Sequence, residues 1–385
     1  MIQAKKVSRN TSHARQGTRS SRAQPGTIIE QVDAITGERR LEKRLSCGLT
    51  AVFAPRPGFA GKFAMFTSRY GSVDSAWIEN GKIRRVPDGI AHFLEHQMFK
   101  KADGDITSRF TANGAYCNAH TSHSATSYYF DCVSGFEENL ALLLRMCLTS
   151  YFNPELVEIE RGIITQELVS YRDHPYWVSY QALLAALYHN HPVRIDIGGT
   201  EATVAKITPE LLTECHRRFY HPTNCYLFAA GDVEPARFFK LADELCNRYF
   251  DGREPMPYQQ ARIEEPLQVK QGRVEKSLHV AMNRMFIGYK DNVRLSGEAL
   301  SQRGNIATLA MDMLIGRSSA FYEKAYADGV VTTDFSASYN FEPSFAYALI
   351  GGEAPEPVEL EKRFEARLEQ VRKSGFDKSE LQRKQ

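Results

Sequence analysis

The sequence contains neither a long apolar run nor a marked excess of charge. Its 385 residues include 48 lysines and arginines against 46 aspartates and glutamates, a formal net charge of +2 at pH 7. Because no apolar stretch is long enough for a signal peptide or a membrane span, we expect a soluble, cytoplasmic protein with no membrane partner. The charge balance argues neither for nor against an acidic partner.

Closely spaced cysteines are also missing. The cysteines are odd in number, and no two of them form a Cys-x-x-Cys pair. This scatter argues against a disulfide scaffold and against a zinc site built from thiolates, and it is typical of buried thiols in a reducing compartment. We therefore expect no catalytic cysteine. The seven positions are Cys47, Cys117, Cys132, Cys147, Cys215, Cys225 and Cys246.

The N-terminal segment has the only strong charge bias in the chain. Residues 1–29 contain six lysines and arginines, whereas the first acidic residue is Glu30. The segment has no hydrophobic periodicity, so we predict a disordered basic leader. Its composition also resembles an organellar transit peptide, which is rich in arginine and serine. No aromatic residues alternate with the basic ones, and we expect no nucleic-acid partner.

The remaining length is sufficient for two domains, each with a core of its own. A segment rich in proline, glutamine and charge predicts a linker at 251–275, between a first domain at 30–250 and a second at 276–385. Residues 378–385 have the charged pattern of the beginning of a helix, and the sequence stops before that helix ends. We therefore expect the second domain to be truncated at its C-terminus. Its predicted elements are a strand at 277–289, a helix at 304–328, strands at 330–352 and a helix at 357–373.

The most informative stretch begins at Asp88, a suitable helix N-cap, and contains His92, Glu95 and His96 in the order His-x-x-Glu-His. On a helix the two histidines project from one face and can bind one zinc ion. Glu95 borders that face and is placed to accept a proton from an attacking water. The order is that of an inverted zinc-protease motif. The alternative is an amphipathic core helix with two hydrogen-bonded histidines, and a third ligand is needed to decide.

Residues 154–173 predict a second amphipathic helix, with Pro154 at its first position. Glu160 and Glu167 fall on its inward stripe, where carboxylates are costly unless a positive charge compensates them. Glu167 is therefore the candidate third ligand, and Glu160 is an accessory carboxylate of the catalytic site. The alternative is that lysines or arginines at a domain edge pair with both. The apolar stripe comprises Leu156, Ile163, Ile164, Leu168 and Tyr171.

Residues 114–133 predict extended structure, interrupted by a polar turn near 121–125. Two further histidines, His120 and His123, lie there. Both could bind a metal, but their spacing is typical of a polar loop, and we expect them at the surface.

These residues together resemble the pitrilysin/insulinase family of zinc peptidases, which includes the mitochondrial processing peptidases. The stretch from Gly89 to His96 carries the motif, Glu167 follows His96 by 71 residues, and Glu160 matches the family's accessory glutamate. Asn118 and Ala119 look like the family's edge-strand segment. The likeness is greatest to small bacterial members encoded in pairs, some linked by name to elongation factor P modification.

The resemblance implies an α+β fold with two homologous domains, each a mostly antiparallel sheet packed by helices. It also implies a zinc-dependent endopeptidase with one zinc per chain, held by His92, His96 and Glu167, although such ligands also take manganese or cobalt. Asn118 and Ala119 would bind an extended peptide substrate as an added strand.

One departure from the family concerns a substrate-binding Arg/Tyr pair that the other half of the enzyme normally supplies. The matching positions here are Ala325 and Thr332. The resemblance therefore implies a heterodimer with a homologous partner that carries the pair. The alternative function is a non-catalytic structural or assembly subunit that keeps the peptidase fold.

Overall fold

A computed structural model describes residues 26–261 and 263–384. Residues 1–25 of the predicted leader lie outside this range, and the first strand begins at Ile28, within the last two residues assigned to the leader. No helix in the described part of the chain is both long and apolar enough to cross a membrane.

The strands of the described residues belong to one large and three small sheets. They are β1 (Ile28–Val32), β2 (Arg39–Arg44), β3 (Thr50–Pro55), β4 (Lys62–Ser68), β5 (Ala76–Glu79), β6 (Lys82–Arg85), β7 (Lys100–Lys101), β8 (Gly104–Asp105), β9 (Ala115–Thr121), β10 (Thr126–Cys132), β11 (Cys225–Gly231), β12 (Arg284–Asp291), β13 (Ser336–Glu342) and β14 (Phe345–Glu353).

The helices of the described residues surround these sheets. They are α1 (Ile90–Met98), α2 (Thr107–Ala112), α3 (Phe136–Leu148), α4 (Pro154–Arg172), α5 (Pro175–Leu187), α6 (Glu201–Val204), α7 (Pro209–Phe219), α8 (Pro235–Tyr249), α9 (Gly297–Ile315), α10 (Ala320–Ala327), α11 (Pro357–Ser374) and α12 (Lys378–Lys384). Two short 3-10 helices, Pro192–Arg194 and Pro222–Asn224, connect helices and strands in the first half.

The large sheet has the strand order β1-β2-β3-β11-β4-β10-β9. All its neighbouring strands are antiparallel except β3 and β11. Alternate residues of β4 and β11 are buried, because successive side chains of a strand point to opposite faces. The buried face packs against α1, α3 and α8 around one hydrophobic core. In the strand order, β9 is one of the two edge strands of the sheet.

A second core lies in the C-terminal part, where the sheet β12-β14-β13 packs against helices. The predicted helix at 304–328 is wrong, because two helices, α9 and α10, occupy this region. The first ends at Ile315 before Gly316, and Ser319 caps the second by accepting a hydrogen bond from the backbone N–H of Tyr322. The α+β class predicted from the sequence is confirmed.

The two parts pack together through α5 and the sheet β12-β14-β13. The hydroxyls of Tyr180 and Tyr347 lie 2.7 Å apart, and the Tyr188 hydroxyl donates to the carbonyl oxygen of Ala346. Within 251–275, the described residues contain no helix or strand beyond an isolated bridge at Gln260. The predicted domain boundaries remain a prediction.

One buried ion pair joins this segment to strand β12. The Lys290 side chain, 2% exposed, donates to the Glu265 carboxylate, 3% exposed, across 2.6 Å. That carboxylate also accepts the backbone N–H groups of His189, Asn190 and His191. Burial alone would raise the pKa of Glu265, but Lys290 and the three N–H donors lower it to about 2.

Lys290→Met is expected to lower the free energy of unfolding by about 3–5 kcal/mol at pH 7, because it leaves a buried carboxylate without its cation. The carboxylate's stabilising effect is complete above its unfolded pKa near 4.5 and is lost as the pH falls through 2. The difference from the wild type, measured by urea unfolding, should therefore shrink below pH 4.5. The exposed Lys373→Met is the control and should change stability by less than about 0.5 kcal/mol.

Candidate metal centre

Helix α1 carries the His-x-x-Glu-His motif, and its start is fixed by a distant loop. Gly89 is the N-cap, with φ of 92° in the left-handed region, so the predicted cap at Asp88 is wrong. A Cβ on Gly89 would collide with the carbonyl oxygen of Gly198, and one on Gly199 would collide with that of Asp88. This close packing of two glycine-containing segments sets where α1 begins and therefore where its histidines lie.

Helix α4 begins where the sequence predicts. The Asn153 side chain caps it by accepting the N–H groups of Glu155 and Leu156, and Pro154 occupies its first turn. Ile164 and Leu168 are buried against the core. Ile163 and Tyr171 are exposed, contrary to the predicted stripe.

The structure brings His92, His96 and Glu167 together. The two Nε2 atoms lie 3.3 Å apart, and Oε2 of Glu167 lies 3.7 Å from Nε2 of His92 and 3.6 Å from Nε2 of His96. Ligand atoms about 2.1 Å from a tetrahedral zinc ion are separated by about 3.4 Å, so this donor set fits one ion. Among the described residues, no other group of three histidine, cysteine or acidic side chains has a comparable arrangement.

Glu160 lies behind this cluster. It is 4% exposed, and its Oε1 lies 2.9 Å from Nδ1 of His96, while Lys100 approaches its other oxygen at 3.9 Å. A carboxylate on the second nitrogen of a metal-binding histidine fixes the ring orientation and keeps the first nitrogen free for the metal. Lys100 is a contact that the sequence did not indicate.

Burial and charge act differently on the two histidines. Burial, with a smaller contribution from His96, lowers the pKa of His92 to about 3, so this imidazole is neutral at pH 7 and can bind a cation. Burial also acts to lower the pKa of His96, but Glu160 and the nearby carboxylates raise it above its usual range. The site thus presents one neutral imidazole and one that is surrounded by negative charge, and both features favour a bound cation.

Glu95 is held by a hydrogen bond that the sequence did not predict. The Thr121 hydroxyl, at the end of β9, donates to Oε2 of Glu95 across 2.7 Å. Glu95 is 8% exposed, and its burial raises its pKa although the hydrogen bond from Thr121 opposes the shift. A buried carboxylate with a raised pKa is a stronger proton acceptor than a solvated one.

Asn118 and Ala119 lie on the edge strand β9, whose described neighbour is β10 alone. The backbone N–H of Ala119 donates to Oδ1 of its neighbour Asn118 instead of to a strand. A free edge with available backbone groups is the structure that strand addition requires.

The other predicted residues lie elsewhere. Ala325 is buried in α10, and the Thr332 hydroxyl donates to Asp334. His120 is exposed as expected, but the prediction for His123 is wrong: it is buried, with its ring 5.7 Å from that of Phe345.

Sequence comparison places these features in a known family. The chain is 37% identical over 330 residues to the "Uncharacterized zinc protease YmfH" of Bacillus subtilis (strain 168), which covers 84% of this chain and 76% of that protein. The chain belongs to the M16 (insulinase) peptidase family. Residues 75–201 match the family model "Insulinase (Peptidase family M16)", and residues 206–385 match "Peptidase M16 inactive domain". The predicted family is confirmed.

Solved structures of two bacterial proteases share this fold. An M16-like peptidase from Alicyclobacillus acidocaldarius superposes with a TM-score of 0.86 at 36% identity, over 93% of this chain and 82% of that one. A protease from Helicobacter pylori superposes with a TM-score of 0.76 at 20% identity, over 90% and 83%. The second similarity concerns the fold alone.

Proposed function

We propose that this M16 protein is a zinc-dependent endopeptidase that cleaves extended peptides. The observation that carries the proposal is the approach of His92, His96 and Glu167 within bonding range of one ion, beside a buried glutamate held by the edge strand. The name of the Bacillus subtilis relative supports the choice of zinc.

In this proposal His92, His96 and Glu167 hold one zinc ion per chain. Zinc bound there supplies Lewis-acid chemistry, which polarises a peptide carbonyl and makes water a better nucleophile. Glu95 accepts the proton of the attacking water at Oε1, because Oε2 is engaged by Thr121. Glu160 orients His96 and keeps its Nε2 directed at the ion.

The substrate in this proposal is a peptide that adds to the free edge of β9. Its backbone replaces the side chain of Asn118 as the acceptor for the Ala119 N–H. Since Thr121 belongs to the same strand and holds Glu95, an added strand lies next to the proton acceptor.

A homologous partner subunit completes the site in this proposal. Ala325 is buried and has no side chain that could bind a substrate, which supports the expectation that a partner supplies the Arg/Tyr pair. The match of residues 206–385 to a family domain described as inactive agrees with this division. The cytoplasmic location remains a prediction from the sequence.

The proposal is tested by incubating the full chain, alone and with its candidate partner, with an unstructured peptide library. We expect cleavage that a chelator abolishes and zinc restores. If the protein binds zinc but cleaves no peptide even with the partner present, the alternative of a non-catalytic subunit is correct.

Thr121→Val is expected to lower kcat by about 10- to 100-fold with little change in KM or zinc content. It removes a hydrogen bond to a charged group, an interaction of about 1.5–3 kcal/mol, from the proton acceptor. Thr121→Ser should restore most of the activity. The control Ser127→Ala removes a hydroxyl that pairs with Thr67 in the same sheet, and it should keep the wild-type kcat. A Thr121→Val variant with unchanged kcat would show that the hydrogen bond has no catalytic effect.

A further inference from the structure

A cleft of about 540 Å³ lies beside the predicted metal centre. Its walls are the last turns of α4, one face of α5, the segment 194–201 and residues 270–276. Leu168, which follows the predicted ligand Glu167, lines it and packs against Gly198, where an added Cβ would lie 3.6 Å from Nδ1 of His92. The cleft therefore adjoins two predicted metal ligands. Its lining residue Leu168 follows Glu167 in the chain, and its lining residue Gly199 follows Gly198, which lies beside His92.

The charged groups of this cleft do not balance. Arg172 and Glu201 pair with each other at 3.0 Å. The Asp196 carboxylate accepts hydrogen bonds from Nε1 of Trp177 and from the Gly198 N–H. The remaining cations, Arg194, Lys270 and Lys276, make no ion pair with any residue that the structure describes. Three unpaired positive charges thus face one carboxylate.

Two donors at the cleft are buried without an acceptor. Nε of Arg194 and Nε2 of Gln181 have no hydrogen-bond partner among the described residues, although both atoms are inaccessible to solvent. Buried donors are normally satisfied, so each of these two atoms can bind an acceptor in the cleft once its side chain turns toward it. The rest of the wall is apolar and includes Val178, Ala182, Ala185, Ala186 and Val274.

We propose that this cleft binds the carboxylate of an acidic side chain in the substrate, at a residue close to the cleaved bond. The inference rests on the proposed peptidase function. The apolar wall accommodates the methylene groups of a glutamate, and Arg194, Gln181 and the two lysines supply donors and charge for its carboxylate. The protein therefore prefers peptides with an acidic residue at one fixed position over peptides with the matching amide.

The test uses fluorogenic peptides that carry either glutamate or glutamine at each position flanking the cleavage site, with the full chain and its partner. We expect kcat/KM for glutamate to exceed that for glutamine by about tenfold at one position. The ratio should fall to about one in Lys270→Gln/Lys276→Gln and in Arg194→Gln. Lys82→Gln/Lys240→Gln removes the same charge from exposed positions elsewhere and should keep the ratio.

Binding of the same labelled peptides to Glu95→Gln separates this inference from the proposed function. If the wild type cleaves no peptide while Glu95→Gln binds the glutamate peptide more tightly than the glutamine peptide, the proposed function is refuted and the inference is kept. Cleavage with equal rates for glutamate and glutamine at every position would overturn the inference and keep the function. If free glutarate changes turnover of the glutamine peptide in the wild type but not in Lys270→Gln/Lys276→Gln, the cleft binds a small dicarboxylate instead, and the inference is wrong.

Discussion

Glu95→Gln is expected to reduce kcat for peptide hydrolysis by about 10²–10⁴-fold while zinc content stays at one per chain. The amide keeps the size of the carboxylate and can still accept the hydrogen bond from Thr121, but it cannot accept a proton at pH 7. Glu95 is not one of the three candidate ligands His92, His96 and Glu167, so metal binding should survive. Activity and zinc content are measured on the same preparation.

Glu137→Gln is a suitable control, because this residue is at the start of α3, away from the metal centre. It should retain wild-type kcat. A Glu95→Gln variant that keeps more than about a tenth of wild-type kcat would show that Glu95 is not the proton acceptor.

Glu167→Gln and Glu160→Gln, seven residues apart on α4, are expected to have clearly different effects on metal binding. Glu167→Gln removes a negatively charged ligand and should lower zinc affinity by more than the 10–100-fold typical of losing a supporting residue. Glu160→Gln removes only the partner of His96 and should lower affinity by about 10–100-fold. Chelator competition measures both.

Glu158→Gln is the matched control on the same helix, since this side chain is exposed and pairs with Arg161. It should bind zinc as the wild type does. Equal zinc affinities for Glu160→Gln and Glu167→Gln would contradict the assignment of Glu167 as the ligand and Glu160 as its support.

Sequence alone predicted the elements whose signals are local. The start of α4 follows from Asn153 and Pro154, and its inward face follows in part from the apolar period, since Ile164 and Leu168 are buried but Ile163 and Tyr171 are not. The break between α9 and α10 also had a local signal, Gly316 followed by Ser319, and was missed because the apolar period continued across it.

Other features depend on contacts that local patterns do not contain. Gly89 begins α1 because the Gly198–Gly199 loop packs against it, more than a hundred residues later in the chain. His123 is buried where its ring packs beside that of Phe345, at the start of β14. The hydrogen bond from Thr121 to Glu95 likewise joins a strand and a helix. These positions became visible only when the separate elements were in place.

The approach of Glu167 to the two histidines was predicted from the cost of an inward carboxylate and from the family resemblance. The structure places the three side chains together, but their role as ligands remains a proposal. The most direct measurement is anomalous diffraction at the zinc edge from crystals of the full chain. We predict one peak about 2.0–2.2 Å from Nε2 of His92, Nε2 of His96 and Oε2 of Glu167. A zinc peak elsewhere, or a zinc-soaked crystal in which Glu167 points away from both histidines, would contradict the proposal that these three residues bind zinc.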